Sequence, residues 1–233
     1  MICVIIIICK KIAHTKKVKK MKQVVKPIKD SWVLNEVQRC LLDKESTGRR
    51  NYTIFQVGKS TLLRVSDVLA LKKADVFDED GRVKRNAFIF DKKTKKRNVL
   101  YLKPVEKDLI DYFDWLKREQ LYNRKKKIYR SQNFNGNVLT SPWLFPSIRH
   151  AERHIDGKAY WKIMNDVGKE LNIDYLGTHT MRKTGAYRVY QQTNHNIGLV
   201  MKLLNHSSEE MTLAYLGLDQ DTREQILDTI DFG

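Results

Sequence analysis

Cysteine is scarce in this chain of 233 residues, with three copies at Cys3, Cys9 and Cys40. The number is odd and no two of them form a CxxC pair, which argues against a disulfide framework and against a zinc ribbon. Cysteine usage of this kind fits a reducing compartment, so we expect a cytoplasmic protein.

Long apolar runs are also lacking. The run at residues 2–9 has eight residues, whereas a helix needs about 20 apolar residues to cross a bilayer. Lys10 and Lys11 follow this run, although a signal peptide carries its positive charge before the apolar stretch. We interpret residues 1–29 as a flexible basic N-terminal arm or a non-native extension, with Met21 as a candidate start. A weak membrane anchor is the alternative.

Acidic residues are too few to balance the basic ones. Lys and Arg number 44 against 27 Asp and Glu, which gives a formal net charge of +17. Such a surplus favours a polyanionic partner, and nucleic acid is the first candidate. The alternative is a basic surface that serves solubility. Hydrophobic residues make up 42% of the chain, enough for one packed core.

The hydrophobic pattern predicts a mostly helical α+β fold without internal repeats. One helix begins at Ser31, its predicted N-cap, and a long helix begins in the turn that contains Pro104, a position that proline tolerates. The basic stretch 122–137 is predicted to be a loop. The long helix is predicted to bury Leu109, Ile110, Phe113, Leu116 and Leu121. Further helices are predicted at about 64–71, 157–171, 179–192, 196–204, 208–216 and 219–229.

A small three-stranded antiparallel sheet is predicted between these helices. Its strands cover residues 75–78, 87–90 and 98–102, which are rich in aromatic and β-branched side chains. The turn residues Asp78–Gly81 separate the first two strands, and the charged tip 92–96 joins the last two.

A set of polar side chains stands out at the predicted helix ends and at the hairpin tip. Its members are Arg64, Lys93, His179, Arg182, His206 and Tyr215. The guanidinium groups of Arg64 and Arg182 match the paired oxygens of a phosphate. Tyr215 has a hydroxyl with an ordinary pKa of about 10, so a nucleophilic role at neutral pH requires a nearby base and positive surroundings.

In this order the residues resemble the signature of the tyrosine recombinases, the phage integrase family, and in particular its short single-domain members. The first motif reads Thr61-Leu62-Leu63-Arg64 with Asp67 three places on, and Leu62 stands where the family often has glycine. The second is a hairpin lysine, matched by Lys93-Thr94. The others are His179-x-x-Arg182, Leu204-Asn205-His206 and Thr212-Leu-Ala-Tyr215. The resemblance runs from about residue 50 to the C-terminus.

The resemblance implies a catalytic domain over residues 30–233 that cuts and rejoins double-stranded DNA. Tyr215 would attack a phosphate, displace a 5′-hydroxyl and form a 3′-phosphotyrosine. Arg64, Arg182 and His206 would stabilise the charge of the transition state. Lys93 would protonate the leaving oxygen, and His179 would assist in removing the tyrosine proton. No metal, ATP or other cofactor is expected, because one phosphodiester is exchanged for another.

The resemblance also implies partners and a location. We expect a homo-oligomer, a tetramer on DNA, that is cytoplasmic and nucleoid-associated and has no membrane partner. The acidic amphipathic segment 219–232 would dock on a neighbouring protomer or cover its own core.

Other interpretations of the same residues stay open at this point. Lys92 or Lys95 could take the role of Lys93, and the chain could be a non-catalytic DNA-binding relative. Gly58-Lys-Ser-Thr61 resembles the end of a P-loop, which would indicate a nucleotide hydrolase, but the required first glycine is replaced by Thr53. Arg64 could pair with Asp67 on a helix surface.

Overall fold

The computed structural model describes residues 24–44, 46–93, 95, 97–126, 139–147, 150–218 and 227–233. Nine α-helices and one 3₁₀ turn lie in these ranges. The helices are α1 (Ser31–Leu42), α2 (Gly48–Thr61), α3 (Val65–Leu69), α4 (Lys73–Val76), α5 (Glu106–Lys126), α6 (Gly157–Glu170), α7 (Thr180–Gln192), α8 (Ile197–Leu204) and α9 (Glu209–Leu216). The predicted mostly helical α+β class is confirmed.

Side-chain caps explain why several helices begin where they do. The Asp30 carboxylate accepts a hydrogen bond from the Val33 amide at 2.8 Å, so the N-cap of α1 is Asp30 and not the predicted Ser31. Asp156 caps α6 and Asn196 caps α8 in the same way. Each cap satisfies an amide that has no partner within its helix, which fixes the first turn.

The predicted three-stranded sheet is wrong in its first strand. Within the described residues the sheet has two antiparallel strands, β1 (Asn86–Phe90) and β2 (Arg97–Tyr101), with Phe88 opposite Val99. The predicted strand at 75–78 is replaced by helix α4 and one isolated bridge between Phe77 and Val83. The carboxylate of Asp75 accepts a hydrogen bond from the Lys72 amide, and this cap begins a helical turn where a strand was expected.

The long helix differs from its prediction at both ends and in its buried face. Pro104 lies in the 3₁₀ turn Lys103–Val105, and α5 begins at Glu106. The predicted loop 122–137 is helical as far as Lys126, and the rest lies outside the described residues. Ile110 is exposed, whereas Tyr112 is fully buried and donates a hydrogen bond to the Leu144 carbonyl. Leu109 and Leu116 are buried as predicted.

Two hydrophobic clusters lie beneath the helices. The larger contains residues of α1, α2, α5 and α6, among them Phe55, Tyr112 and Tyr160. The smaller consists of Leu62, Ala186, Val200, Leu204 and Leu216 and joins the end of α2 to helices α7, α8 and α9. The smaller cluster therefore packs the helices of the C-terminal part against Leu62, two residues before Arg64.

The end of the predicted N-terminal arm is packed against this domain. Residues 24–29 are described, and within them the Ile28 side chain is fully buried in the larger cluster. The packed unit therefore begins before the predicted boundary at residue 30. The predicted helix 219–229 lies mostly outside the described residues. Within the described part of the chain, no helix is both long and apolar enough to cross a membrane.

Candidate active site

The turn before Arg64 is held by a leucine in a left-handed conformation. Helix α2 ends at Thr61, and its C-cap Leu62 has φ 55° and ψ 25°. This conformation suits glycine and costs a leucine about 1–2 kcal/mol. The Leu62 side chain is buried in the smaller cluster, which contributes about 1.5–3 kcal/mol. Burial thus offsets the backbone cost, and leucine serves where the family often has glycine.

Arg64 is tied to the hairpin and not to its own helix. Its Nη1 lies 3.4 Å from Oδ2 of the buried Asp91, at the end of β1. Asp67, the partner considered from the sequence, instead accepts a hydrogen bond at 3.0 Å from the Lys92 amide. These two contacts fix the start of the hairpin turn against helix α3.

Lys93 is exposed on that turn, directly after the pair of anchored residues. Lys92 and Lys95 are exposed as well, and Lys95 has φ 57°. The structure places these lysines on the same turn, next to the Arg64 contacts. The assignment of Lys93 over its two neighbours stays a prediction.

Arg182 lies in the first turns of α7, which His179 precedes as N-cap. Its guanidinium is buried and donates one hydrogen bond, Nη2 to the Leu204 carbonyl at 3.0 Å. Among the described residues its Nε has no hydrogen-bond partner. Burying a cation costs free energy. The Arg182 guanidinium still has N–H groups that can donate hydrogen bonds to an anion.

The two histidines share one electrostatic environment. Burial and the positive charges of Arg182, Lys183 and Arg64 lower the pKa of His179 below its usual value. Burial together with Arg182 and Arg64 also lowers the pKa of His206. Both shifts favour the neutral imidazole in the free protein, and a neutral imidazole can accept a proton.

His206 is oriented by Thr212. Helix α8 ends at Leu204, and its C-cap Asn205 has a left-handed conformation. This conformation ends the helix directly before His206. The Thr212 hydroxyl donates to the Ser208 carbonyl at 3.0 Å and lies 3.1 Å from His206 Nδ1. Because its single proton is used on Ser208, the hydroxyl accepts from Nδ1–H, and Nε2 is left for another partner.

Tyr215 lies on α9 against His206, with ring centroids 5.1 Å apart and an interplanar angle of 84°. Its hydroxyl is buried and has no hydrogen-bond partner among the described residues. Burial raises the pKa of Tyr215 to about 12, although Arg182 and Arg64 act in the opposite direction. The Lys183 ammonium lies 4.9 Å from the centre of the same ring.

The structure thus gathers most of the predicted set into one site. The positive charges of Arg64 and Arg182 act on the pKa values of His179, His206 and Tyr215, which requires that these three side chains lie close to both arginines. Prediction from the sequence missed other contributors: Asp91, which holds Arg64, and Lys183, which covers the Tyr215 ring. The direct succession of Lys183 after Arg182 was the available signal for the second.

The P-loop interpretation does not survive. Gly58-Lys-Ser-Thr61 forms the last turn of α2, and Lys59 Nζ donates to the Gln38 side chain at 3.0 Å. Gly58 serves close packing, because an added Cβ would lie 2.2 Å from Met181 Sδ. These residues hold helix α2 against α1 and α7 and form no phosphate-binding loop.

Replacing Thr212 by valine is expected to slow the DNA cleavage that the family resemblance implies, without unfolding the protein. Valine matches the shape of this fully buried threonine but removes the partner of His206 Nδ1, so the imidazole loses its orientation. We expect about a tenfold slower reaction, since losing a hydrogen bond costs about 1 kcal/mol or more. Thr212→Ser keeps the hydroxyl and is the matched control in single-turnover cleavage assays. Equal rates for the valine and serine variants would remove this role from Thr212.

Comparison with known proteins agrees with this geometry. Residues 33–221 match the model of the phage integrase family, so the chain belongs to that family. It is 30% identical over 200 residues to the probable integrase/recombinase YoeC of Bacillus subtilis (strain 168), covering 85% of this chain and 93% of that protein.

Solved structures of recombinases share the fold. The XerH site-specific recombinase bound to palindromic difH substrate superposes with a TM-score of 0.57 at 18% identity, over 92% of this chain. The chain spans only 55% of the XerH chain. A lambda integrase (75–356) dimer bound to a COC′ core site gives a TM-score of 0.56 at 16% identity, over 95% of this chain and 68% of that one. The predicted family is therefore confirmed, and the identities to these structures show the fold alone.

Proposed function

We propose that this protein is a site-specific DNA recombinase that cuts and rejoins DNA through Tyr215. The observation that carries the proposal is the Tyr215 hydroxyl, which is buried without a hydrogen-bond partner among the described residues and lies in the field of Arg182 and Arg64. A hydroxyl held in this way is unfavourable for stability, and a reactive role supplies a reason for that cost.

In the proposed step the Tyr215 oxygen attacks the phosphorus of a DNA phosphodiester. A new P–O bond to the tyrosine forms, the bond to the 5′-oxygen breaks, and the strand that ends in a 3′-phosphate stays attached to the enzyme. Arg64 and Arg182 donate to the non-bridging oxygens, where negative charge develops. The negative charge of a bound phosphate favours protonation of His206, whose Nε2–H then donates to the same oxygens.

Two proton transfers complete the step. The pKa of Tyr215, raised to about 12, keeps the free hydroxyl protonated at neutral pH. Its proton must therefore leave during the attack, and the neutral His179 is the proposed acceptor. Lys93, or Lys92 or Lys95 on the same exposed turn, delivers a proton to the departing 5′-oxygen. The reaction exchanges one phosphodiester for another, so it needs no energy from ATP.

Double-stranded DNA is the proposed substrate, and a tetramer on DNA is the proposed assembly. The formal net charge of +17 supports a polyanionic partner. YoeC is named a probable integrase/recombinase, and the related XerH and lambda integrase structures contain DNA sites. The alternative is a DNA-binding relative without cleavage activity. The following experiment distinguishes it from a recombinase.

A nicked suicide duplex tests the proposal directly. A bound site is first selected from a library of genomic duplexes, and the nick is placed so that the short fragment with the 5′-hydroxyl diffuses away. We expect a covalent adduct on a denaturing gel that keeps a label placed on the 5′ side of the cut and loses a label on the 3′ side.

Two outcomes would contradict this proposal. An adduct that retains the 3′-side label would reverse the polarity of the step and reject the 3′-phosphotyrosine. Tight, salt-sensitive binding of the selected duplex without any adduct would favour the non-catalytic alternative. Peptide mapping of the adduct identifies the modified tyrosine.

A further inference from the structure

The chain enters the domain across the back of the candidate active site. Val25 accepts a hydrogen bond through its carbonyl from Lys183 Nζ at 2.8 Å. The Ile28 amide donates to the Thr184 hydroxyl at 2.9 Å, and the Ile28 side chain is fully buried. The entering segment is therefore fixed to helix α7 immediately beside Arg182.

Lys183 connects this segment to the nucleophile. While its ammonium donates to the Val25 carbonyl, it also lies 4.9 Å from the centre of the Tyr215 ring. His206 contacts the same ring edge-to-face. Tyr215 is thus confined by a histidine and a lysine, and the position of the lysine depends on Val25.

Lys29 provides a second connection, at the C-terminal end of α9, the helix that carries Tyr215. Helix α9 ends at the C-cap Gly217, whose carbonyl accepts a hydrogen bond from Lys29 Nζ at 2.7 Å. A cation at a helix C-terminus also compensates the negative end of the helix dipole. The Pro27 ring lies nearby, 3.4 Å from where a Cβ on Gly217 would be.

We propose that residues 25–29 form an entry clasp that positions Tyr215 through Lys183 and Lys29. The proposal rests on the proposed function, in which Tyr215 is the nucleophile. The two lysines are positioning residues, because they act on Tyr215 and on its helix and need not touch DNA. Ile28 is the fixed point of the clasp, since its side chain and its amide are both held by the domain.

Positioning matters here because α9 is short and has few other constraints. It spans Glu209–Leu216, and its buried residues are Thr212 and Leu216. A helix of this length can shift or rotate when one terminal contact is lost, and a misplacement of about 1 Å can slow a reaction about 100-fold. The entry clasp opposes such a shift at two points: Lys183 contacts the Tyr215 ring, and Lys29 holds the C-terminal end of α9.

The test uses two pairs of variants of the full chain. Lys183→Met and Lys29→Met remove each ammonium, whereas Lys183→Arg and Lys29→Arg keep a cation and a donor. Lys26→Met is the matched control, because Lys26 lies in the same segment with its side chain exposed, and among the described residues it bonds only through its backbone amide, to the Tyr175 carbonyl. All five are compared in single-turnover adduct formation at saturating suicide duplex.

We expect each methionine variant to form the adduct at least about tenfold more slowly than Lys26→Met. The arginine variants recover most of the rate. The dissociation constant of the duplex changes no more in the methionine variants than in Lys26→Met. Adduct rates equal to that of Lys26→Met overturn the clasp, as does a loss of duplex affinity that accounts for the whole loss of rate.

A measurement without DNA separates this inference from the proposed function. The ring resonances of Tyr215, assigned by their absence in Tyr215→Phe, are expected to shift and broaden in both methionine variants and to stay unchanged in Lys26→Met. Unchanged resonances in the methionine variants overturn the clasp even if the wild type cleaves DNA. A wild type without any adduct rejects the proposed function, whereas the resonances still decide whether the segment positions Tyr215.

Discussion

Replacing Tyr215 by phenylalanine is expected to abolish the covalent DNA adduct and, at the same time, to stabilise the fold. The first effect follows because phenylalanine has no oxygen that can attack phosphorus. The second follows because the Tyr215 hydroxyl is buried and has no hydrogen-bond partner among the described residues. Removing an unsatisfied buried polar group recovers its desolvation cost, about 1–3 kcal/mol in the free energy of unfolding.

Urea unfolding measures the second effect, and Tyr112→Phe is its matched control. Tyr112 is also buried, but its hydroxyl donates to the Leu144 carbonyl at 2.8 Å. Its removal leaves that carbonyl without this partner, so we expect destabilisation by about 1 kcal/mol. The two tyrosine-to-phenylalanine changes therefore carry opposite signs. A Tyr215→Phe protein that is as destabilised as Tyr112→Phe would show that the hydroxyl is satisfied in the free protein.

The opposite changes in the free energy of unfolding reflect a difference between a reactive tyrosine and a structural one. A nucleophile that already donates its proton to a protein carbonyl is less available to its base and its substrate. Tyr215 instead lies against His206 and close to the buried Arg182 and the half-buried Arg64, an arrangement that costs stability in the absence of DNA. We expect DNA to supply the missing partners, because a phosphate offers acceptors to both arginines.

Much of this architecture could be predicted from the sequence. Helices α6 to α9 begin within one residue of their predicted starts. Capping side chains mark the starts of α6, α8 and α9 in the sequence, whereas the N-cap of α7, His179, makes no side-chain capping bond. The predicted strand at 75–78 failed because Asp75 caps a helical turn, a local contact that outweighs the β propensity of Val76 and Phe77.

The site residues that belong to sequence motifs could be predicted, and those that join the site through tertiary contacts were missed. Arg182 and His206 follow from the spacing of the family signature. Asp91 could not be found in this way, because its contact with Arg64 spans 27 positions and appears only when the hairpin packs on α3. The entry clasp was missed for a similar reason: residues 10–29 show no apolar period, although Ile28 is fully buried.

The approach of helices α2 and α7 is the feature on which both arginines depend. Helix α2 leads into the turn that carries Arg64, and α7 carries Arg182. Gly185 lies at their contact, where an added Cβ would be 1.9 Å from the Lys59 carbonyl oxygen and 2.7 Å from Leu62 Cδ2. The obstacle is backbone, which cannot move aside as the end of a side chain can.

Gly185→Ala is therefore expected to destabilise the fold by about 3 kcal/mol, at the upper end of the usual cost of overpacking. The gain in helix propensity, about 1 kcal/mol, opposes this loss and does not reverse it. Gly198→Ala is the matched control: it lies in helix α8, where an added Cβ meets only Asn196 Oδ1 at 3.6 Å. We expect Gly198→Ala to be neutral or stabilising by up to about 1 kcal/mol in urea unfolding.

Gly185→Ala is also expected to slow adduct formation, and this effect can be measured separately from the loss of stability. When α2 and α7 are forced apart, Arg64 and Arg182 no longer face one phosphate from fixed positions, so adduct formation falls further than the folded fraction does. The comparison is made at low temperature without denaturant, where Gly185→Ala remains mostly folded. An adduct rate that simply follows the folded fraction would show that the helix spacing supports the core but does not set the geometry of the arginines.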